Sequence, residues 1–359
     1  MSSIYQRLFG FIIFVCLIYF CNLFVVFIFY KFILFKSLTF FGFLYPLISF
    51  GILGILTYFS FLINEYIYSL FYLITMLYAG FLLNCLNFDL IFILLLLFCS
   101  LNNFLINLII LIVFPILLSI YGYYHAKNPI VERITLKYKG FNNKKTILHL
   151  SDIHLGAIYK KEFIEKIVAK INELNPNVVV ITGDFADGSL QVKTEWIKPF
   201  DSLTIPILYI TGNHTAMHGK DKLLKTIEET NIKYIGNINY EVEGINFIGI
   251  DYEYNIRRRL QELSPNIKNN IPNVALYHIP LIKPEELKNY NIFLLLTGHT
   301  HGGQVLPLQI FAYLANQCFS GLYEWNKHYI FVSTGIGTAG MPMRIGSNAV
   351  YSLITIEDE

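Results

Sequence analysis

The stretch IFLLLTGHTHGGQ, residues 292–304, runs from a continuous apolar segment straight into two histidines and a pair of glycines. A short apolar run of this kind predicts a buried strand. Ligand-capable residues at the carboxyl end of a strand mark the edge where open α/β sheets gather their sites. Working outward, the same arrangement recurs four times upstream. TILHLS (146–151) leads into Ser151-Asp152-Ile153-His154, and VVVIT (178–182) into Gly183-Asp184. PILYIT (206–211) leads into Gly212-Asn213-His214, and NVALYH (273–278) ends on His278. Between these runs, 160–174 and 220–230 carry apolar residues at helical spacing, and Pro176 follows the first. Residues 239–250 predict two short strands about a turn at Gly244, and 328–335 and 349–357 supply late strands. The alternation predicts an α/β or mixed layered domain of roughly 220 residues, enough to bury its own core.

Five of the nine histidines fall in these motifs. Asp152 and His154 stand i, i+2 at a strand end, as do His299 and His301, a spacing that in extended backbone puts both side chains on one face. Of the cysteines, Cys16, Cys21, Cys85 and Cys99 fall in the apolar first third and Cys318 stands alone, so metal would be held by nitrogen and oxygen. Imidazole with carboxylate and amide oxygen suits Mn, Fe, Zn, Ni or Co. The seven candidates Asp152, His154, Asp184, Asn213, His278, His299 and His301 exceed what one tetrahedral zinc takes. They suit two divalent ions sharing a bridging carboxylate. One HxH or one GD alone is usually a turn or a satisfied core residue; five such motifs, each at a strand end, are not.

Together, D-x-H, GD, GNH, a lone His ahead of Pro280, and GHTHGGQ resemble the calcineurin-like metallophosphoesterase superfamily. The GHTHGGQ ending and the later GIGTAGMPMR (335–344) resemble its bacterial membrane-associated branch, and the likeness covers about 146–357. The resemblance implies a layered α-β-β-α sandwich. It also implies that Asp152, His154 and His301 hold one ion, that Asn213, His278 and His299 hold the other, and that Asp184 bridges both. A metal-bridging hydroxide would then be the nucleophile, with His214 stabilising or protonating the leaving oxygen and Arg344 a candidate for the substrate phosphate. The pattern departs at Thr215, where relatives carry an acid that orients the motif histidine. His149 is expected in the core or behind the ligands, and Gln304 holding the glycine turn. His125, His218 and His328 lie outside any ligand pattern, and Asp187 is expected to cap a helix, with lining the cleft as the alternative.

The first third is chemically different. Residues 1–120 contain only Arg7, Lys31, Lys36, Glu65 and Asp89 as charged side chains, out of 52 in the chain. A block so poor in charge cannot present a soluble surface and reads as a transmembrane helical anchor over 1–125. Apolar runs near 8–30, 38–62, 66–87 and 104–124 predict four spans, with 90–99 supplying a fifth in the alternative reading. A basic connector, 126–145, then leads to the metallophosphoesterase domain, 146–359. Lys127, Arg133, Lys137, Lys139, Lys144 and Lys145 place that domain on the cytoplasmic side of the cell membrane.

These readings converge on dimetal hydrolysis of a phosphodiester or pyrophosphate in a lipid-linked or membrane-proximal substrate, with the bilayer as the other partner. The alternatives are a soluble-nucleotide phosphodiesterase and a non-catalytic, metal-stabilised membrane sensor. A net charge of +2 without a clustered basic face argues against nucleic acid, and no obligate protein partner is inferred.

Overall fold

Where it is described, the charge-poor sequence is almost wholly helical, chiefly in α1 (Phe40–Ile63), α2 (Glu65–Leu96) and α3 (Phe104–Ala126). The computed structural model describes residues 23–28, 31, 40–96, 103–141, 143–252 and 255–359. Among these, α2 and α3 are long and apolar enough to cross a bilayer; at 1.5 Å per residue they measure about 48 and 35 Å. The expected run at 66–87 therefore does not stop before Asp89. Residues 90–96 continue α2, so over that part 90–99 belongs to a longer span and does not supply the alternative fifth. The foreseen span at 8–30 lies almost wholly outside the described residues, and of that at 38–62 only Gly51–Ile63 counts, as a shorter apolar helix. Among the described residues, two candidate spans therefore stand where four were expected.

Asn103 starts α3 by accepting the Leu105 and Ile106 N–H groups at 2.9 and 3.2 Å. A π-turn at Ile109–Val113 sits just before Pro115, whose ring removes one N–H from the helical ladder. Two short pieces from late in the chain belong to this helical unit, Val305–Pro307 and Met341–Ile345. Val305, Met343 and Ile345 are buried together, with Leu77, Leu118 and Tyr123 packed against them, and the Asn87 amide donates to the Leu306 carbonyl at 2.9 Å. Gly80 and Gly122 permit this, because a Cβ on either would fall 2.8 Å from Met343 Sδ or Ile345 Cγ1.

The second unit is built on two six-stranded mixed sheets. The first contains β1 (Ile130–Lys137), β2 (Lys145–Leu150), β3 (Val178–Thr182), β4 (Ile207–Ile210), β5 (Ile232–Tyr234) and β12 (Val350–Glu357), in the order β1-β12-β2-β3-β4-β5. The second contains β6 (Asn239–Val242), β7 (Ile245–Gly249), β8 (Asn273–Leu276), β9 (Leu294–Thr297), β10 (Gly321–Trp325) and β11 (His328–Val332), in the order β10-β11-β9-β8-β7-β6. Alternate residues of both sheets share one core: Ile147, Val178, Val180, Leu208 and Ile210 meet Phe247, Val274, Leu276, Leu294 and Phe331. The opposite face of the second sheet packs Ile248, Ala275, Leu295 and Ile330 against Ile256 and Leu260 of a helix spanning Ile256–Leu263. This is the layered mixed α/β arrangement foreseen.

The boundary foreseen at 146 is corrected. Residues Ile130–Lys137 pair in parallel with Val350–Glu357, so much of the basic 126–145 stretch is an edge strand and no mere connector. Its charged and half-buried residues suit an edge, where only one long side is bonded. The foreseen hairpin about Gly244 is present, with Glu243 and Gly244 both at positive φ (56° and 74°), as a tight primed turn requires.

Candidate metal centre

Strands β2, β3 and β4 run parallel side by side in one sheet, and β8 and β9 do so in the other. Their carboxyl ends carry the five motifs. Beyond the strand ends the loops continue to bond: His154 N–H donates to Asp184 O at 3.0 Å and Leu155 N–H to Phe185 O at 2.9 Å. Two of the bonds that cross between the sheets involve motif residues. The His278 ring uses Nδ1 on the Thr182 carbonyl at 2.8 Å, and the His299 N–H donates to Asp152 Oδ2 at 3.1 Å. The first fixes His278 with Nδ1 protonated and Nε2 turned toward the carboxylates, the usual way a carbonyl sets a ligand tautomer.

The motif residues do not share a strand face in the i, i+2 manner foreseen. β2 ends at Leu150, and Asp152 and His154 take φ of 55° and 54°; Asp184, His299 and His301 take 45°, 72° and 52°. Five of the seven candidate ligands thus sit in left-handed backbone, which costs a non-glycine residue on the order of 1 kcal/mol or more and is tolerated where the surroundings enforce it. The candidate ligands converge because the chain twists out of the sheet, not because the strand continues. Glycines make the room. A Cβ on Gly298 would lie 1.8 Å from Ser151 Oγ, and one on Gly183 2.5 Å from His278 Nδ1.

The donors form two sets. In the first, Asp152 Oδ1 lies 3.4 Å from His301 Nε2 and 3.9 Å from His154 Nε2, and the two imidazole nitrogens are 3.1 Å apart. In the second, Asn213 Oδ1 lies 3.0 Å from His278 Nε2 and 2.8 Å from His299 Nδ1. Asp184 Oδ2 joins them, 3.0 Å from His278 Nε2 and 3.9 Å from His154 Nε2. Ligand atoms about 2.1 Å from a common ion stand roughly 3.0–3.4 Å from one another, so both sets have the span that a divalent cation fits. Asp152, His154, Asp184 and His278 are buried. The side on which Asn213, His214 and His299 are only part-buried is the open one.

Burial raises the Asp152 carboxyl above its ordinary range, with His278 pulling it back. Burial also works against ionised Asp184, but His278 and the His214 and His154 imidazoles overcome it and hold the carboxyl well below the usual range. Burial works against the charged His278 ring too; Asp184 beside it wins and lifts the imidazole to about 9. His299 is lowered to about 4, chiefly by burial.

His214 lies in the first turn of a short helix, Asn213–His218, with its N–H on Asp184 Oδ1 at 2.8 Å and its Nδ1 3.1 Å from the Asp187 carbonyl. Asp187 caps no helix, contrary to expectation. Its Oδ1 accepts from the Ser189 N–H and hydroxyl, each at 2.7 Å, closing an Asx turn that presents the carbonyl to His214. Burial raises the Asp187 carboxyl to about 6. Thr215 points elsewhere, its hydroxyl accepting the Gly212 N–H at 3.2 Å. A main-chain carbonyl thus takes the orienting place of the acid that Thr215 replaces. Gln304 pins the glycine turn to Ala339 through two bonds, 2.8 and 3.3 Å, and His149 is buried with Nε2 2.7 Å from Thr182 Oγ1. His125, His218 and His328 take no part in the donor sets. Arg344 lies in the helical unit, fully buried, with its main-chain N–H on the Gly122 carbonyl at 2.9 Å.

One residue of the site's frame was not foreseen. Asp251, just beyond β7 and fully buried, reaches across to the first sheet. It accepts from Thr211 Oγ1 at 2.8 Å, Lys220 Nζ at 2.8 Å and the Tyr234 hydroxyl. It fixes the residue from which Gly212-Asn213-His214 departs. The rule that picks out the candidate ligands, a polar residue directly after an apolar strand, applies to Asp251 as well.

The family model for calcineurin-like phosphoesterase matches residues 145–303, the span that holds all seven donors. An uncharacterized metallophosphoesterase of Helicobacter pylori (strain ATCC 700392 / 26695) is 30% identical over 234 residues, covering 62% of this chain and 63% of the relative. One from Campylobacter jejuni is 30% identical over 252 residues, covering 67% and 66%. A Bos taurus transmembrane protein with metallophosphoesterase domain is 29% identical over 241 residues, covering 60% and 53%. The matches thus span less than two thirds of these curated relatives. The chain belongs to the calcineurin-like metallophosphoesterase superfamily.

Proposed function

We propose that this chain is a membrane-bound hydrolase that cleaves a phosphodiester or pyrophosphate with two divalent ions, on a substrate presented at a lipid surface. The observation that carries the proposal is the pair of donor sets meeting at one carboxylate oxygen, Asp184 Oδ2. Asp152, His154 and His301 would hold one ion, Asn213, His278 and His299 the other, and Asp184 both. Ions held there supply a nucleophile by lowering the pKa of bound water and neutralise charge on the phosphoryl group.

The chain's own residues do the rest. His278, locked by the Thr182 carbonyl, presents Nε2 without rotating. His214 is held at Nδ1 by the Asp187 carbonyl, which leaves Nε2 to give a proton to the departing oxygen. Its 22% exposed side chain stands on the open side, where a leaving group can reach it. Arg344, foreseen as a candidate for the substrate phosphate, is fully buried, and the proposal gives it no role.

The membrane part of the proposal rests on α2 and α3, and on the name of the Bos taurus relative. Lys127 and Arg133 shortly after α3 favour a cytoplasmic catalytic domain. The test is turnover by the purified full chain with Mn²⁺ on bis-p-nitrophenyl phosphate, then on vesicles carrying a panel of phosphodiester and pyrophosphate lipids. Lipid substrates should be preferred. Preference for free nucleotides would favour the soluble phosphodiesterase reading, and no turnover of any compound by metal-loaded protein would favour the sensor.

A further inference from the structure

The sequence between Gln304 and Glu324 contains no Asp, Glu, Lys or Arg. It includes a helix, Leu308–Ala315, none of whose side chains is buried. Ile310, Phe311, Tyr313 and Leu314 are 57, 64, 65 and 74% exposed. At 100° per residue these four fall on one face of about 160°. The opposite face is seated: a Cβ on Gly303 would lie 2.2 Å from Gln309 Cα, and one on Gly346 2.6 Å from Gln309 Nε2. The helix therefore stands directly on the glycine turn that follows His301, with its apolar side turned outward. A water-facing helix has polar residues on that side.

We infer that the Leu308–Ala315 helix lies in the lipid interface, its Ile310, Phe311, Tyr313 and Leu314 face dipping into the bilayer beside the metal centre. Chain continuity selects lipid as the occupant. Leu308 follows Pro307 directly, and Val305–Pro307 belongs to the helical unit. Val305 packs with Leu118 and Tyr123, in the last turns of α3 just before the first charged residue beyond it, Lys127. The helix thus begins within a few residues of a segment held where α3 leaves its apolar stretch, the depth at which interfacial helices with aromatic residues settle. The inference rests on the membrane reading of α2 and α3, and it adds that the catalytic unit has a lipid contact of its own next to His301.

The test uses the full chain in vesicles. Phe311→Trp and, as a control, Lys166→Trp on the exposed side of the Lys161–Leu174 helix are each compared with wild type, whose own signal comes from Trp196 and Trp325. Flotation with vesicles at high salt is run first. Brominated lipids should quench the emission added by Phe311→Trp by about twofold or more and leave that added by Lys166→Trp unaffected. If the chain fails to float, the membrane reading itself fails. If it floats and the indole added by Phe311→Trp is quenched by aqueous iodide, the helix faces water and the inference is overturned. Protection of that indole from both quenchers means that protein covers it, which also overturns the inference.

Discussion

Gly212→Ala changes no ligand and yet should disable the centre. Gly212 sits at φ −119° and ψ −178°, open to any residue, so alanine adds no backbone strain there. An added Cβ, however, would lie 2.3 Å from Asp184 Oδ1 and 2.4 Å from Asp184 N. Carbon contacts are comfortable from about 3.5 Å, so the two must part by about 1 Å. The carboxylate cannot turn away, because Oδ1 takes the His214 N–H at 2.8 Å and Oδ2 faces His278 at 3.0 Å. The main-chain nitrogen can move only with its strand end. A shift of this size at a reacting centre costs about 100-fold in rate, or about 2.7 kcal/mol of barrier. The assay is hydrolysis of bis-p-nitrophenyl phosphate with Mn²⁺, with metal content measured on the same sample and a thermal melt to show that the variant is folded. A folded variant with wild-type turnover and full metal content would refute the reasoning, because Asp184 would then have room that the structure denies it.

Three further outcomes are expected. Asp251→Asn leaves Lys220 without its buried partner and should cost about 3 kcal/mol of stability by chemical denaturation; an unchanged midpoint would contradict the clamp. Thr215→Val should cost about 1 kcal/mol through loss of the bond to Gly212 N–H. The pH–rate profile should stay in place, since His214 is oriented by the Asp187 carbonyl. Burial lowers His149 to about 3, so the folded state keeps it neutral while the unfolded chain protonates near 6.5. Its share of stability is complete above about pH 6.5 and falls as pH drops toward 3. At pH 5 the loss is about 2 kcal/mol, from 1.36 kcal/mol per unit. His149→Asn should flatten that part of a stability–pH curve, and an unaltered slope would count against the assignment.

Much of the candidate centre was legible because its residues obey one local rule: a buried strand ends and a residue able to bind metal follows. Asp152, Asp184, Asn213, His278 and His299 could be found that way, and the order of motifs carried the family. The left-handed backbone of Asp152 and His154 could not, since strand periodicity stops at Leu150 and says nothing about the turn beyond it. β1 was hidden because an edge strand carries Glu132, half-buried, and exposes Arg133 and Lys137, and so reads like a linker. What orients His214 in place of an acid at 215 depends on where the Asp187 carbonyl lies, in a loop far upstream, and local sequence cannot give that. Where 90–96 belongs stayed open because Asp89 resembles a span edge, whereas the structure buries it within the helix.

Metal stoichiometry tests most directly whether two ions sit on seven ligands joined by Asp184. Full chain purified with Mn²⁺ in excess, freed of loose metal and analysed by mass spectrometry of the element, should carry about two ions per chain. Asp184→Asn should carry fewer than about one. Active wild type with a single ion, or Asp184→Asn that keeps both, would contradict the account.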